Sequence, residues 1–290
     1  MSKNASRSKL LDYQNAKAAN QFQNAPLADR LRPKKQLGQN FLVDQNIVQK
    51  IIAACQLNKK ETVLEIGPGL GAITPHIAQH VHKMIAVETD QRYYTELKNR
   101  LSDTNVELIH ADFLKFDLTS LPVNLKVIAN LPYHICSVII AKLLENKEHF
   151  TSLYFTVQLE LGQRMVAQPS TKDYSAFSVL TQYHTQPRML FKIKRTSFKP
   201  QPKVDSCFIQ LNILPTPTYP ADAEQLFFEV VRQAFGQRRK TLANALERKI
   251  SKANLWTILE QLKLKPSVRA EDLSIESFVS LANRMGALRG

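Results

Sequence analysis

The sequence predicts an α/β protein with a Rossmann-like, mostly parallel sheet and a small all-α domain after it. Short apolar segments alternate with helix-like segments from residue 62 to residue 167. A glycine-rich turn follows the first apolar segment, and after residue 222 only helical periodicity is present. Strands separated by helices of this length form βαβ units, in which neighbouring strands run parallel.

Predicted strands and helices follow one another in regular order. The strands cover 62–66, 83–88, 106–112, 125–130 and 152–158. The helices cover 91–101, 136–145 and 159–167. The first two helices have an apolar face that predicts burial against the sheet. The predicted inward residues are Tyr94, Leu97 and Leu101 in one helix, and Val138, Ile139, Leu143 and Leu144 in the other.

The pattern changes after residue 167. Segments 188–196 and 206–214 flank a Pro-rich connection and have the composition of strands. In the second segment the apolar residues alternate onto one face: Cys207, Ile209, Leu211 and Ile213. This predicts an antiparallel hairpin added to the parallel sheet.

A linker is predicted at residues 214–222, which contain three prolines. Asp222 is the expected N-cap of the next helix. The core stripe of that helix is predicted to be Leu226, Phe227, Val230, Val231 and Ala234. The predicted regions are therefore a basic mobile tail at 1–30, an α/β domain at 31–215 and a helical domain at 216–290.

Charge and cysteine usage narrow the class of protein. The 290 residues include 39 Lys and Arg against 25 Asp and Glu, a formal net charge of +14. This excess favours a polyanionic partner, and nucleic acid over membrane because no basic amphipathic helix with an aromatic face is evident. Three separated cysteines, Cys55, Cys136 and Cys207, predict neither a disulfide framework nor a metal site. Without a signal peptide or an apolar run of membrane length, a cytoplasmic monomer is expected.

The glycine-rich turn, Glu65–Gly71, joins the first strand to the next helix. Gly67 and Gly69 allow a ligand close to the backbone, although a tight turn alone would also explain them. Glu88 ends the following strand, where a carboxylate can accept both hydroxyls of a ribose. The GxGxG spacing and Glu65 favour the cationic methyl donor S-adenosyl-L-methionine over a dinucleotide, whose pyrophosphate Glu65 would repel. Asp112 is a candidate for the donor's adenine amino group, or it caps the next turn.

An uncharged amide, Asn130, ends the fourth strand and is followed by Leu131, Pro132 and Tyr133. The carboxyl ends of parallel strands are where open α/β sheets bind ligands. The Asn130 oxygen and the Leu131 carbonyl could accept the two N–H bonds of an exocyclic amine and stabilise the positive charge that grows during methyl transfer. Pro132 would stiffen that carbonyl, and Tyr133 would stack on a flipped base. A simple strand-ending turn is the alternative.

These motifs, with three others, resemble the ribosomal RNA adenine-N6 dimethyltransferases, within them the KsgA/RsmA type. The similarity runs in order from about residue 34 to about residue 283. The matching segments are QNFLVD (39–44), EIGPGLGAIT (65–74), ANLPY (129–133), SFKPQPKVDS (197–206) and FGQRRKTLANAL (235–246). The resemblance implies the Rossmann-like fold of S-adenosylmethionine methyltransferases.

The resemblance also implies a substrate and further site residues. Two adjacent adenosines, in a hairpin near the 3′ end of 16S rRNA in the small ribosomal subunit, would each be dimethylated during subunit maturation. Asn40 and Leu42 would close over the donor, and Phe198 would be a second aromatic beside the target base. Three positions depart from the family pattern: His134, Leu159 and Ser175.

Basic residues without an intervening acid run from Arg188 to Lys203 and predict an RNA surface beside the site. They are Arg188, Lys192, Lys194, Arg195, Lys199 and Lys203, with Phe191 and Phe198 among them. A second cluster, Arg238, Arg239 and Lys240, is predicted to hold the duplex, and 30–35 is a candidate third. Charge reversal at Arg238 and Arg239 is expected to weaken RNA binding without affecting the donor.

Other functions stay open on the residues alone. The nearest enzyme is the large-subunit rRNA adenine methyltransferase of the macrolide-resistance type, against which the C-terminal segment 235–246 speaks. A ribosome-assembly factor in which methylation is secondary is a second alternative. A DNA adenine methyltransferase would more often have Asp-Pro-Pro-Tyr at 130–133.

Overall fold

The computed structural model describes residues 39–237 and 239–288. The predictions for the tail at 1–30, for the basic segment 30–35 and for Arg238 lie outside the described residues.

A seven-stranded sheet forms the centre of the larger unit. Its strands are β2 (Thr62–Ile66), β3 (Lys83–Glu88), β4 (Val106–His110), β5 (Leu125–Asn130), β6 (Phe150–Gln158), β7 (Thr185–Ile193) and β9 (Ser206–Ile213). Their spatial order is β4-β3-β2-β5-β6-β9-β7. The strands from β4 to β6 are parallel, and β9 pairs antiparallel with both β6 and β7. The predicted fold class, including the hairpin, is confirmed.

Register places the ends of three neighbouring strands at one edge. Ile66 of β2 is level with Val87 of β3 on one side and with Ala129 of β5 on the other. The next residues along these strands, Gly67, Glu88 and Asn130, therefore meet at the carboxyl edge of the sheet. This is the edge at which parallel α/β sheets bind ligands.

Helices cover both faces of the sheet, as the near-continuous apolar strands require. They are α1 (Gln45–Cys55), α2 (Thr74–Ala78), α3 (Gln91–Arg100), α4 (Cys136–Glu145), α5 (Leu159–Val166) and α6 (Ala176–His184). Two apolar clusters lie on opposite faces, one around Val127, Ile140 and Phe155, the other around Ile51, Met84 and Phe208.

Two predicted helix faces need correction. In α3 the residue that enters the core is Tyr93, and Tyr94 is only partly buried. In α4 the side chain of Val138 is 53% exposed, and Ile140 is buried instead. The other predicted inward residues are buried as expected: Leu97 and Leu101 in the first helix, and Ile139, Leu143 and Leu144 in the second. Helix α6 was not predicted from the sequence.

The connection between β7 and β9 contains a short strand, β8 (Phe198–Lys199). It pairs antiparallel with β1 (Phe41–Leu42), so that residues 41 and 42 lie against residues 199 and 198. A segment from the start of the described chain is thereby held beside the Pro-rich connection. Short 3-10 helices occur at Leu118–Ser120, Lys147–His149, Arg195–Ser197 and Ala270–Asp272.

The smaller unit is helical, with α7 (Glu224–Gly236), α8 (Leu242–Ala245), α9 (Lys252–Gln261) and α10 (Ile275–Ala287). Its core includes Phe227 and Phe278, and also Tyr174 and Tyr183 from the region around α6. The N-cap of α7 is Ala223 and not Asp222 as predicted. The backbone N–H of Asp222 donates to Asn283 Oδ1 at 3.1 Å, which ties the helix start to α10. The domain boundary at 215/216 stays a prediction.

Among helices in the described part of the chain, none combines the length and the apolar character needed to cross a bilayer.

Candidate active site

A cavity lies at the carboxyl edge of the sheet, where β2, β3 and β5 end. Its walls include the glycine turn after β2, the carboxylate that ends β3, the residues that follow β5, and the segment before α1. The predicted site residues among those that line it are Asn40, Leu42, Glu65, Gly67, Gly69, Glu88, Asn130, Leu131, Pro132 and Tyr133. The structure thus brings together ten of the twelve residues predicted for donor and amine.

Glu65 is the most deeply buried acidic residue of the cavity wall, with 1% of its surface exposed. Thr74 donates its hydroxyl hydrogen to Glu65 Oε2 at 2.7 Å. Burial raises the pKa of Glu65 to about 8; the Thr74 hydrogen bond opposes this rise and nearby Glu88 adds to it. A cation bound in the cavity would favour the ionised form of this carboxyl.

Glu88 is held by two backbone N–H groups and is 3% exposed. Gly69 donates to one carboxylate oxygen and Asp90 to the other, both at 2.8 Å. Burial raises the pKa of Glu88, and these two bonds counteract part of the rise. Each oxygen retains a lone pair, so the carboxylate can still accept hydroxyl groups of a ribose.

Gly67 and Gly69 both have left-handed backbone conformations, with φ of +66° and +58°. A Cβ atom on Gly67 would have no protein atom within 4 Å, because this residue faces the open cavity. A Cβ atom on Gly69 would lie 2.9 Å from the ring of Phe41. The two glycines therefore serve different needs: open space at Gly67 and close approach of residue 41 at Gly69.

The side chain of Asn130 is oriented by a backbone carbonyl. Its Nδ2 donates to the carbonyl oxygen of Asn40 at 2.9 Å. A carbonyl can only accept a hydrogen bond, so the amino group of Asn130 must face Asn40, and its Oδ1 faces the other way as an acceptor. The thiol of Cys136 donates to the neighbouring carbonyl oxygen of Leu131, with 3.7 Å between Sγ and the oxygen. Burial raises the pKa of Cys136 to about 12, so this thiol remains a donor.

Tyr133 and His134 lie at the mouth of the cavity. The hydroxyl of Tyr133 is 2.7 Å from the hydroxyl of Ser206, the first residue of β9. This contact anchors the phenol end of the ring to the end of the Pro-rich connection. His134 is exposed and lines the cavity, so its departure from the family pattern lies in the cavity wall.

Two predicted site residues do not line the cavity. Asp112 is exposed beyond the end of β4, and its carboxylate accepts the backbone N–H of Leu114 at 3.0 Å, the turn-capping alternative. Its contact with the donor's adenine stays a prediction. Phe198 is 3% exposed and belongs to the apolar cluster around Ile51. Its backbone pairs with Leu42, and its place beside the target base stays a prediction.

The predicted RNA surface consists of exposed side chains. All six basic residues between 188 and 203 are exposed, and five of them lie at or beyond the carboxyl end of β7. Phe191 does not face solvent with them, because it packs on Phe208 and carries Lys50 Nζ 4.4 Å from its ring centroid. Arg239 and Lys240 are exposed between α7 and α8.

Sequence reasoning missed several residues that shape the cavity. Thr74 orients Glu65, Ser206 orients Tyr133, and Gln39 lines the wall beside Asn40. The departures at Leu159 and Ser175 are structural: Leu159 packs against the core, and Ser175 has an extended φ of −156° that needs no glycine. All three carried a signal, because each stands at the end of a matching segment: Gln39 begins QNFLVD, Thr74 ends EIGPGLGAIT and Ser206 ends SFKPQPKVDS.

The fold and site define a class: an α/β methyltransferase that uses S-adenosyl-L-methionine. Its cavity fits this donor, because two buried carboxylates face a glycine-lined space suited to a cationic, ribose-bearing group. The family model described as ribosomal RNA adenine dimethylase matches residues 30–286. The chain belongs to this family.

Individual relatives agree with the family. The chain is 43% identical over 261 residues to ribosomal RNA small subunit methyltransferase A of Alkaliphilus oremlandii, covering 87% of this chain and 91% of the relative. It is 40% identical over 268 residues to the protein of the same name from Moorella thermoacetica, covering 88% and 93%. A dimethyladenosine transferase from Plasmodium falciparum has a similar structure, with a TM-score of 0.72, 25% identity, and coverage of 83% of this chain and 95% of that one. The 23S rRNA methyltransferase ErmE follows with a TM-score of 0.67, 26% identity, and coverage of 85% and 100%.

Proposed function

We propose that this enzyme dimethylates the N6 amines of two adjacent adenosines in a hairpin near the 3′ end of 16S rRNA. The observation that carries the proposal is the amide of Asn130: its Nδ2 is bound to Asn40, which leaves Oδ1 as an acceptor on a cavity wall that Leu131 also lines. Small-subunit RNA is favoured over large-subunit RNA because relatives at 40–43% identity carry the small-subunit name, whereas ErmE is 26% identical. The enzyme would act in the cytoplasm during maturation of the subunit.

The Asn130 side-chain oxygen and the Leu131 carbonyl would stabilise the positive charge that develops on the target nitrogen. Adenine N6 is a weak nucleophile because its lone pair is delocalised into the ring. Asn130 Oδ1 and the Leu131 carbonyl accept its two N–H bonds, which favours a pyramidal nitrogen with a localised lone pair. Both acceptors then stabilise the positive charge that develops as the N–C bond forms. The methylated amine loses its proton to water, so no side chain is needed as a strong base.

The part of the cavity proposed for the methyl donor contains two carboxyl groups and an open space beside a glycine. S-adenosyl-L-methionine, when bound, provides an electrophilic methyl group on a sulfonium. Glu65 and Glu88 would hold its amino and ribose groups, and Gly67 leaves room beside them. Asn40 and Leu42 close the same cavity from the other side. Since Asn40 also fixes Asn130, binding of the donor and orientation of the amine acceptor share one segment.

The base-binding half includes Pro132, which fixes the backbone after Leu131, and Tyr133, on which a flipped adenine would stack. The exposed cations of segment 188–203 would contact the phosphates of the hairpin. Arg239 and Lys240, which are exposed on the helical unit, would add phosphate contacts there.

The function is tested by supplying both ribosomal subunits lacking the modification together with methyl-labelled donor. Label on two adjacent adenosines of small-subunit RNA, as N6,N6-dimethyladenosine, is the expected result. Label on large-subunit RNA would replace the substrate proposed here with that of the macrolide-resistance type. Tight binding of small subunits without any label would favour an assembly factor.

A further inference from the structure

We propose that Tyr93 is a positioning residue for the methyl donor, because it holds the segment Gln39–Leu42 against the glycine turn. This segment is called the strap below. The inference rests on the proposed assignment of the cavity to S-adenosyl-L-methionine. It concerns a side chain on α3 that does not itself line the cavity.

Tyr93 contacts the strap in two ways. Its hydroxyl donates to Gln39 Oε1 at 3.1 Å. Its ring meets the ring of Phe41 edge-on, with centroids 5.5 Å apart and planes at 75°. Tyr93 is fully buried, and burial raises the pKa of its hydroxyl, so the group stays a hydrogen-bond donor.

The strap connects the parts of the cavity that must work together. Phe41 covers Gly69, where even a methyl group would come within 2.9 Å of its ring. The carbonyl of Asn40 accepts from Asn130 Nδ2, and Phe41 with Leu42 pairs with β8. A displacement of the strap would therefore open the donor site and release the amide at the same time.

The orientation of Tyr93 is itself fixed from the donor side. Arg92 lies with its guanidinium carbon 5.2 Å from the Tyr93 ring centroid and binds Asp90 through two nitrogens, at 3.0 and 2.7 Å. The N–H of Asp90 donates to Glu88, the proposed ribose ligand. Glu88, Tyr93 and the strap thus form one connected network around the cavity.

A phenylalanine at position 93 would fill the same space and keep the contact with Phe41, but it could not bind Gln39. One buried hydrogen bond of this kind changes an equilibrium by about three- to tenfold. We expect Tyr93→Phe to raise the Kd for S-adenosyl-L-methionine by that factor, through faster dissociation. The rate of methyl transfer at saturating donor should change less than the Kd.

The experiment compares Tyr93→Phe with Tyr94→Phe in the full-length protein. Tyr94 is the neighbouring residue on α3 and packs on His110, away from the strap, so its variant is the matched control. Donor Kd is measured by calorimetry, the dissociation rate by stopped flow, and the stability of the donor-free protein by thermal unfolding. A raised Kd and faster dissociation in Tyr93→Phe alone, after allowance for any loss of stability, supports the proposal. Equal donor kinetics in both variants overturns it.

A second pair of variants tests the route of the effect. Gln39→Leu removes the acceptor, and the double variant Tyr93→Phe/Gln39→Leu removes both partners. If Tyr93 acts through Gln39, its substitution has no further effect on donor dissociation once Gln39 is leucine. Full additivity of the two effects contradicts the proposal. Failure of the wild-type protein to bind the donor would instead remove the assignment of the cavity, and so the two failures are distinguishable.

Discussion

In the cavity, Glu65, Glu88 and Asn130 are each oriented by a defined neighbour, whereas the basic side chains of segment 188–203 are exposed to solvent. The cavity residues come from the ends of three aligned strands, and the cations come from an edge strand and its connection. The effect of a buried, oriented group depends on the exact position of its atoms, whereas exposed cations attract RNA phosphates through their combined charge. Substitutions should therefore have large and specific effects in the cavity, and small, salt-dependent effects on the surface.

The largest effect is expected for Asn130→Ala. Loss of the amide oxygen removes one of two acceptors for the charge that develops on the target amine, which should lower the single-turnover rate about 10²–10³-fold. Donor Kd should change only a few-fold. Rapid-quench assays with labelled donor measure the first and calorimetry the second. A variant that bound the donor normally and still methylated at the wild-type rate would remove Asn130 from the chemistry.

Glu65→Gln should change how stability depends on pH. Below a pH of about 4.5, its ordinary pKa, Glu65 is protonated in both the folded and the unfolded protein. Because the folded protein keeps the proton up to a pKa of about 8, wild-type stability falls as pH rises across this window. Glutamine does not titrate, so the variant's unfolding free energy lacks this fall with pH. Between pH 6 and 8 the unfolding free energy of the variant should therefore rise relative to that of the wild type by on the order of 2 kcal/mol.

The measurement for Glu65 is denaturant unfolding of the donor-free protein at a series of pH values. If the plots of unfolding free energy against pH were parallel for wild type and Glu65→Gln, Glu65 would already be ionised in the folded protein. That result would contradict the buried, protonated state described above.

Gly67→Ala tests whether the methyl donor occupies the open space beside Gly67. The new methyl group meets no protein atom within 4 Å but projects into the cavity, and the left-handed backbone adds a strain of about 1–2 kcal/mol. Donor affinity should fall about tenfold or more, measured by calorimetry. Gly236→Ala is the matched control, because Gly236 also has open space around it but lies in α7. Unchanged donor affinity in Gly67→Ala would place the donor elsewhere.

The smallest effect per residue is expected on the basic surface. Reversing the charges of Lys194 and Lys203 should weaken binding of a small-subunit RNA hairpin several-fold. The slope of the logarithm of the binding constant against the logarithm of salt concentration should become shallower by about one for each lost phosphate contact. Donor affinity should not change. Lys59 and Lys60 are equally exposed but precede β2 at the opposite edge of the sheet, so their reversal is the control. Equal losses in both pairs would indicate only a general effect of net charge.

Local patterns were sufficient to predict the strand ends, and with them Glu65, Gly67, Glu88 and Asn130. Parallel strands place their carboxyl ends at one edge whatever the rest of the chain does, so these residues could be brought together without coordinates. Helix phase was harder: Tyr93 and Tyr94 are adjacent, and only packing against the sheet decides which one is buried.

Contacts between distant segments could not be predicted. The pairing of β8 with β1 joins residues far apart in sequence, and Phe198 of β8 is buried. The hydrogen bond from Tyr93 to Gln39 likewise joins residues 54 positions apart in the chain. Neither has a sequence spacing that marks it.

The most direct test is a crystal structure of the enzyme with S-adenosylhomocysteine and an unmodified small-subunit RNA hairpin. We expect the target N6 to lie at about 3 Å from both Asn130 Oδ1 and the Leu131 carbonyl oxygen, with Asn130 Nδ2 still bound to Asn40. An N6 held by other groups, or an Asn130 amide turned away from the base, would contradict this expectation.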